Sequence, residues 1–243
     1  MGFADRQYAR RDYGRPTVAG AMRMWSVTTW LIAINVAVFL VNWFSRSDEN
    51  PEGWLDFWGH FSATTVIYHL QLWRFITFQF LHNGFPHLLF NMIALYFFGP
   101  IVEDYLGGRR FLAFYLLCGA AGGAAYLLLW ALGVLQYGAA TSLVGASAGI
   151  FGVLVAGARV APDTTVMLVF PPIPLRLRVV ALVTLGIAVW VVFSYGRNAG
   201  GEAAHLGGAV LGAVLIWRPD LLNVFDFSLR RRRKGRFFMD NWR

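Results

Sequence analysis

Six long apolar runs divide this chain, and they constrain its fold more than any other feature of the sequence. Of its 243 residues, 57% are hydrophobic and 14% are charged. Soluble domains carry about 25% charged residues, so the composition favours a bilayer as the surrounding solvent. A helix needs about 20 residues to cross the hydrocarbon core. The predicted spans are Val27–Phe44, His87–Tyr105, Phe111–Leu135, Ser147–Val160, Val179–Tyr195 and Ala203–Trp217.

The runs predict an all-α, polytopic membrane protein whose membrane domain, residues 27–217, is a bundle of six transmembrane helices. Residues 1–26 are expected to form a disordered cytoplasmic arm, and residues 218–243 a basic cytoplasmic tail. The first outer loop, Ser45–Pro86, is rich in aromatic residues, so we expect it to lie in the membrane interface and to be partly helical. The stretch Thr164–Arg178 holds three prolines within four residues, which exclude a helix and favour an extended course along the inner surface.

The positions of the basic residues predict the orientation of the helices. Of the 21 Lys and Arg residues, all but Arg46, Arg74 and Arg197 lie in the two terminal segments or in the connections after the second and fourth spans. The positive-inside rule then places both termini in the cytoplasm, which requires an even number of spans, and six satisfies this. We therefore expect a multi-pass protein of the cell membrane, with the basic tail at anionic lipid and no nucleic-acid partner.

Two spans begin with polar side chains that lipid would not tolerate: Ser147 opens the fourth, and His205 lies near the outer end of the sixth. The first N–H groups of a helix lack internal partners, so a serine there is either a simple cap or a nucleophile beside oxyanion donors. Gly208 and Gly212 would let the sixth helix pack closely against the small-residue face of the fourth. His205 would then reach the hydroxyl as a base, unless a backbone carbonyl merely satisfies its ring.

His82, His87 and Asn91 form a third polar group, at the start of the second span. His87 and Asn91 are four residues apart, so they project from one helix face, and both side chains can donate hydrogen bonds to an oxyanion. Two nearby histidines also suggest zinc, but no cysteine or carboxylate stands at ligand spacing. We therefore predict neither a metal nor a cofactor.

No carboxylate is expected to support His205. Three acidic residues are interpreted as charges on loops: Asp56, Glu202 and Asp163. Phe151 lies four residues after Ser147, on the same helix face, and is expected to stack on the His205 ring.

Two further features are interpreted as structural. Trp73 and Arg74 stand in the outer loop, where an arginine needs carbonyl or headgroup partners, and we expect this pair to clamp the loop. Glu103 lies at the cytoplasmic end of the second span and is expected to pair with backbone groups or with nearby arginines.

Taken together, these motifs resemble those of the rhomboid family of intramembrane serine proteases over about residues 27–217. The matching positions, in chain order, are Trp73-Arg74, the H-x-x-x-x-H-x-x-x-N residues His82, His87 and Asn91, Glu103, the G-x-S residues Gly145-Ala146-Ser147, and the A-H-x-x-G stretch Ala204–Gly208. The chain departs from many members in having Ala148 directly after the serine, and from some in having Phe151 where a tyrosine stands.

The resemblance implies a serine endopeptidase that hydrolyses transmembrane protein substrates near the outer membrane face. Ser147 and His205 would form a dyad without an acid, while His87, Asn91 and the Ser147 backbone amide would stabilise the oxyanion. The main alternative is a non-catalytic rhomboid-like protein that binds client transmembrane helices. A transporter or channel would need intramembrane carboxylates along a path, and the sequence places none there.

Overall fold

Helices dominate the computed structural model, which describes residues 25–47, 53–167 and 172–225. Most of the expected arm and tail, residues 1–24 and 226–243, lies outside the described residues. Within those ranges the α-helices, numbered here in chain order, are α1 Val27–Phe44, α2 Trp54–Gly59, α3 Arg74–Thr77, α4 Phe85–Leu106, α5 Gly108–Ala131, α6 Ser147–Val160, α7 Leu177–Phe193 and α8 Ala199–Trp217.

Four of these helices, α1, α4, α5 and α8, are long and apolar enough to cross a membrane. Helices α6 and α7 are apolar but shorter, with 14 and 17 residues. Each predicted span overlaps one of these helices, and α1 and α6 have the predicted bounds. The protein is therefore a mostly helical, multi-pass membrane protein.

The mostly helical chain also contains one short β-hairpin. Strands β1, Thr165–Met167, and β2, Pro174–Arg176, pair in an antiparallel hairpin with Thr165 opposite Arg176. The extended course expected between α6 and α7 is confirmed for these residues. Proline has no backbone N–H, so it can neither continue a helix nor donate a hydrogen bond to a neighbouring strand. Pro174 is the first residue of its strand, a position where proline is tolerated.

The outer loop is partly helical, as expected: α2 and α3 alternate with a π-helical turn over Thr64–Tyr68 and a 3₁₀ turn over Phe78–Phe80. The backbones of Phe61 and Leu143 exchange two hydrogen bonds, of 3.0 and 2.7 Å. These bonds join the outer loop to the segment that leads into α6. The side chain of Phe61 is fully buried.

Small residues bring α5, α6 and α8 into backbone contact. A Cβ atom added to Gly212 of α8 would lie 2.6 Å from the Gly152 Cα of α6. One added to Gly122 of α5 would lie 2.5 Å from the Ala148 Cβ and 2.6 Å from the Ala204 carbonyl oxygen. The predicted packing of the last helix against the small-residue face of α6 is confirmed, and it brings the start of α6 beside the start of α8.

Glu103 links the C-terminal end of α4 to the beginning of α1. Its carboxylate accepts hydrogen bonds from the backbone N–H groups of Val27 (2.7 Å) and Thr28 (2.9 Å) and from the Thr28 hydroxyl (2.7 Å). The first N–H groups of a helix have no partner within it and carry the positive end of its dipole, so an anion stabilises them. The expected pairing of Glu103 with backbone groups is confirmed.

Candidate active site

A cavity of about 650 Å³ lies among α4, α6, α7 and α8. Five of the predicted site residues line it: His87, Asn91, Ser147, Phe151 and His205. They come from three helices, so the chain must fold before they meet. The catalytic roles assigned to them from the sequence remain predictions; their common location is a property of the structure.

Ser147 is the first residue of α6, and the preceding Ala146, not Ser147, is the cap. The simple capping role considered from the sequence therefore does not apply. A tight turn presents the serine: Gly145 has φ +135°, a conformation that favours glycine. A Cβ atom added to Gly145 would lie 2.8 Å from His87 Nε2 and 3.5 Å from Ser147 Oγ, so this position has room only for hydrogen between the two side chains.

The backbone of Gly145 is held from the outer loop, because its N–H donates a 2.9 Å hydrogen bond to the Phe78 carbonyl. The first hydrogen bond at this end of α6 runs from the Ile150 N–H to the Ala146 carbonyl, at 3.1 Å. The N–H groups of the residues before Ile150 have no acceptor within the helix, so they lie at the positive end of its dipole, beside the cavity.

His205 lies against the ring of Phe151, with ring centroids 4.1 Å apart and planes inclined by 9°. The stacking predicted from the position of Phe151, one helical turn after Ser147, is confirmed. It places the imidazole over the face of α6 that carries the serine. In the described part of the chain no hydrogen bond joins the Ser147 hydroxyl to the His205 ring, although both side chains line the cavity.

Glu202 corrects the sequence interpretation, which treated it as a charge on a loop. Its Oε2 lies 2.8 Å from His205 Nδ1, and the two side chains are only 16% and 14% exposed. The physical reason is that α8 begins at Ala199, before the predicted start at Ala203, so Glu202 is in the first turn of the helix. Residues three apart on a helix are neighbours, and this spacing was the sequence signal that pointed to the contact.

The other two acids differ from each other. Asp56 is not an isolated charge on a loop: it belongs to α2, accepts a 2.7 Å hydrogen bond from Asn42 Nδ2 and lies 3.6 Å from Arg46. Asp163 is exposed in the loop after α6, where it lies 3.3 Å from both Arg176 and Arg178, as expected of a solvated charge.

Asn91 and the two histidines occupy the α4 side of the site. Asn91 is 7% exposed, and its Nδ2 makes no hydrogen bond to any residue that the structure describes. His82 is buried and packs edge-on against His87 with ring centroids 5.0 Å apart. Burial, reinforced by the neighbouring His87, lowers the pKa of His82 to about 3, so its ring is neutral at physiological pH and serves as a packing partner of His87.

Arg74 and Trp73 clamp the outer loop, as expected. The buried Arg74 guanidinium donates to the His60 carbonyl, to the Phe57 carbonyl at 3.0 Å and to Gln71 Oε1 at 2.6 Å. The Trp73 indole N–H donates to the Trp58 carbonyl at 3.2 Å. Neither residue lines the cavity; both hold together the loop that carries Phe78 and hence the turn before Ser147.

Within residues 25–47, 53–167 and 172–225, no three His, Cys, Asp or Glu side chains are grouped closely enough to hold an ion.

The fold and the site define a class of protein: a helical membrane domain in which a serine at a helix start shares a cavity with a histidine from a second helix. Residues 69–218 match the family model described as the rhomboid domain. The chain belongs to the rhomboid family.

Three curated relatives, all named as rhomboid proteins, are similar to this chain. Over 137 residues, 54% of this chain, it is 33% identical to the rhomboid protein YdcA of Bacillus subtilis. Over 214 residues, 86% of the chain, it is 31% identical to the mitochondrial Rhomboid protein 1 of Saccharomyces cerevisiae. Rhomboid protease GluP of B. subtilis is 29% identical over 185 residues, 76% of the chain. The chain spans 62%, 57% and 33% of these three relatives, respectively.

Proposed function

We propose that this protein is an intramembrane serine endopeptidase that cleaves transmembrane protein substrates near the outer face of the cell membrane. The observation that carries the proposal is the shared cavity: Ser147 and His205 line it together with His87 and Asn91, and Phe151 holds the imidazole on the serine face of α6. Relatives named as rhomboid proteases support the same reaction class.

In the proposed reaction His205 acts first as a base. The Ser147 hydroxyl proton passes to His205 Nε2 while Oγ bonds to the scissile carbonyl carbon, and the π electrons of that carbonyl move onto its oxygen. When the C–N bond breaks, the same proton passes from Nε2 to the leaving amine. Water then attacks the acyl-enzyme, with His205 again accepting and returning a proton. Catalytic hydrogen bonds are often long before substrate binds, which is consistent with the unlinked Ser147 and His205 side chains.

The negative charge that develops on the carbonyl oxygen needs hydrogen-bond donors on the α4 side. Asn91 Nδ2 is a buried donor without a partner among the described residues. The His87 ring nitrogen flanks Gly145, next to Ser147 Oγ, and the N–H groups at the start of α6 lie beside the same cavity. Donors fixed in place before the reaction stabilise such a charge without reorganisation, which is usually the largest single contribution to catalysis of this kind.

A substrate helix is proposed to enter sideways, between α4 and α7. The cavity reaches the space between these helices, where Phe90 and Phe98 of α4 and Val180 and Thr184 of α7 line it. The carbonyl groups of an intact helix are occupied by internal hydrogen bonds, so a substrate segment must unwind before attack. We therefore expect cleavage near small or helix-breaking residues.

The proposed topology has all six apolar helices crossing the membrane and both termini in the cytoplasm. The short helix α6 would then begin below the outer surface, and water would reach Ser147 through the cavity. The outer loop would lie in the interface, where its exposed aromatic side chains, such as Trp54, Phe57 and Trp58, suit the headgroup region.

The test compares the wild-type chain with Ser147→Ala and His205→Ala in proteoliposomes that contain a single-span reporter protein. We expect the wild type to cleave the reporter and a fluorophosphonate probe to label Ser147, whereas either substitution should abolish cleavage because nucleophile or base is missing. Ser194→Ala, an exposed serine at the end of α7, is the matched control and should cleave normally. Equal cleavage by Ser147→Ala would overturn the proposal, and reporter binding without cleavage by the wild type would favour a client-binding protein.

A further inference from the structure

Glu202 makes the shortest polar contact of the His205 ring. Its Oε2 lies 2.8 Å from His205 Nδ1, and its other oxygen accepts a 3.3 Å hydrogen bond from Asn198 Nδ2. Both partners of the pair are more than four-fifths buried, so water does not compete freely for the contact. Glu202 is not among the residues that line the cavity, whereas His205 is.

This contact determines which ring nitrogen carries the proton. An ionised carboxylate can only accept hydrogen bonds, so the hydrogen of the neutral imidazole must be on Nδ1. The lone pair is then on Nε2, the nitrogen that a base needs to present to a hydroxyl. The stacked Phe151 ring restricts the plane of the imidazole, while Glu202 restricts its rotation within that plane.

We propose that Glu202 is a positioning residue that completes a Ser147–His205–Glu202 triad, an inference that rests on the proposed protease function. Glu202 holds the productive tautomer and stabilises the imidazolium that forms when His205 takes the serine proton. It exchanges no proton itself. This assignment replaces the dyad without an acid that the resemblance implies, because the carboxylate comes from the first turn of the helix that carries the base.

A purely structural role makes different predictions. An acidic residue in the first turn of a helix interacts favourably with the dipole, so Glu202 would then contribute to the stability of α8 and nothing else. Four other charged or titratable groups line the cavity with His205: His87, Tyr126, Tyr137 and Arg197. A change at position 202 alters the sequence at none of them.

The experiment measures kcat, KM and unfolding temperature for the wild type, Glu202→Gln, Glu202→Leu and Glu202→Asp in proteoliposomes with the reporter. Outer-shell carboxylates that orient metal-binding histidines contribute about 10- to 100-fold to activity, and the triad aspartate of serine proteases contributes up to about 10⁴-fold. We therefore expect kcat of the Gln and Leu variants to fall by at least about 10-fold. KM should stay constant because Glu202 does not line the substrate cavity. Glu202→Asp keeps the charge and should recover part of the lost kcat.

The control is Asp163→Asn, which removes an exposed carboxylate in the loop after α6 and should keep wild-type kcat. Fluorophosphonate labelling of Ser147 should slow in the Gln and Leu variants as kcat falls. If Ser147→Ala abolishes cleavage but Glu202→Gln and Glu202→Leu both keep the wild-type kcat, the triad is overturned. This holds whether or not the two Glu202 variants unfold at a lower temperature. A wild-type chain that neither cleaves nor labels would instead overturn the proposed function.

Discussion

At the scale of single residues, the proposed oxyanion site depends on one buried amide, that of Asn91. The buried Asn91 Nδ2 has no partner among the described residues, and leaving such a donor unpaired costs about 1–3 kcal/mol. The Nε2 of Gln79, which is fully buried, is by contrast paired, because it donates to the Phe75 and Leu116 carbonyls. An unpaired donor beside Ser147 is consistent with a partner that appears only during the reaction.

The first prediction concerns this amide. Asn91→Ala should lower kcat by about 10²-fold or less, because the His87 ring and the backbone N–H groups of α6 remain as donors. Reporter cleavage in proteoliposomes measures the effect. Asn223→Ala makes the same substitution at an exposed position outside the cavity and should leave the rate unchanged. If Asn91→Ala cleaves as fast as the wild type, Asn91 is not an oxyanion donor.

At the scale of elements, the site depends on how closely α6 and α8 approach. Ser147 and His205 belong to helices that touch through glycine, and a Cβ atom at Gly208 would overlap the Ala148 carbonyl. Side chains larger than hydrogen at this crossing would force the helices apart and separate the hydroxyl from the imidazole. Glycine-mediated packing therefore sets the geometry of the site as well as the stability of the bundle.

The second prediction tests this crossing with Gly212→Ala. The added methyl would lie 2.6 Å from the Gly152 backbone, and overpacking of this kind typically costs about 1–3 kcal/mol of unfolding free energy. Thermal unfolding in detergent checks the value. Gly186→Ala in α7 is the matched control, since nothing lies within 4 Å of its added methyl, and it should be neutral or slightly stabilising. Equal stability of the two variants would contradict the proposed role of the crossing.

At the scale of the whole molecule, the orientation of the bundle in the membrane decides to which side the cavity opens. The outer loop and the segment before α6 lie on the same side as the starts of α4, α6 and α8, joined by the Phe61–Leu143 pairing. The β-hairpin lies at the opposite ends of α6 and α7. If both termini are cytoplasmic, the cavity faces outward, and substrates would be cleaved on that side.

The third prediction tests the orientation with single cysteines. Gly138→Cys lies in the segment before α6 and Thr164→Cys before the β-hairpin; both positions are exposed. In intact cells, a membrane-impermeant maleimide should label Gly138→Cys at once and Thr164→Cys only after permeabilisation. The native Cys118 is buried, so the wild-type chain should give little background. The reverse labelling pattern would place the cavity on the cytoplasmic side.

The positions of the apolar helices could be predicted because each residue contributes its own hydrophobicity, and the sum over a continuous segment decides whether that segment suits a membrane. That is why the apolar runs agree with the helices and why α1 and α6 have the predicted bounds. The stacking of Phe151 near Ser147 was also accessible, since it follows from helical spacing. The need of Arg74 for carbonyl partners followed from the cost of burying its charge, although the identity of those partners did not.

Most contacts between segments that are distant in the chain could not be obtained in this way; the approach of α8 to α6, which the glycine spacing predicted, is the exception. The partners of Asp56 and the pairing of Phe61 with Leu143 depend on how helices and loops pack, and no local pattern encodes that packing. Glu202 is an intermediate case: its spacing to His205 was visible, but its role depended on α8 beginning at Ala199. The amino-acid order thus sets which segments are helical and which residues carry chemistry, whereas the three-dimensional packing sets which of them meet, because a hydrogen bond depends on the relative positions of two groups.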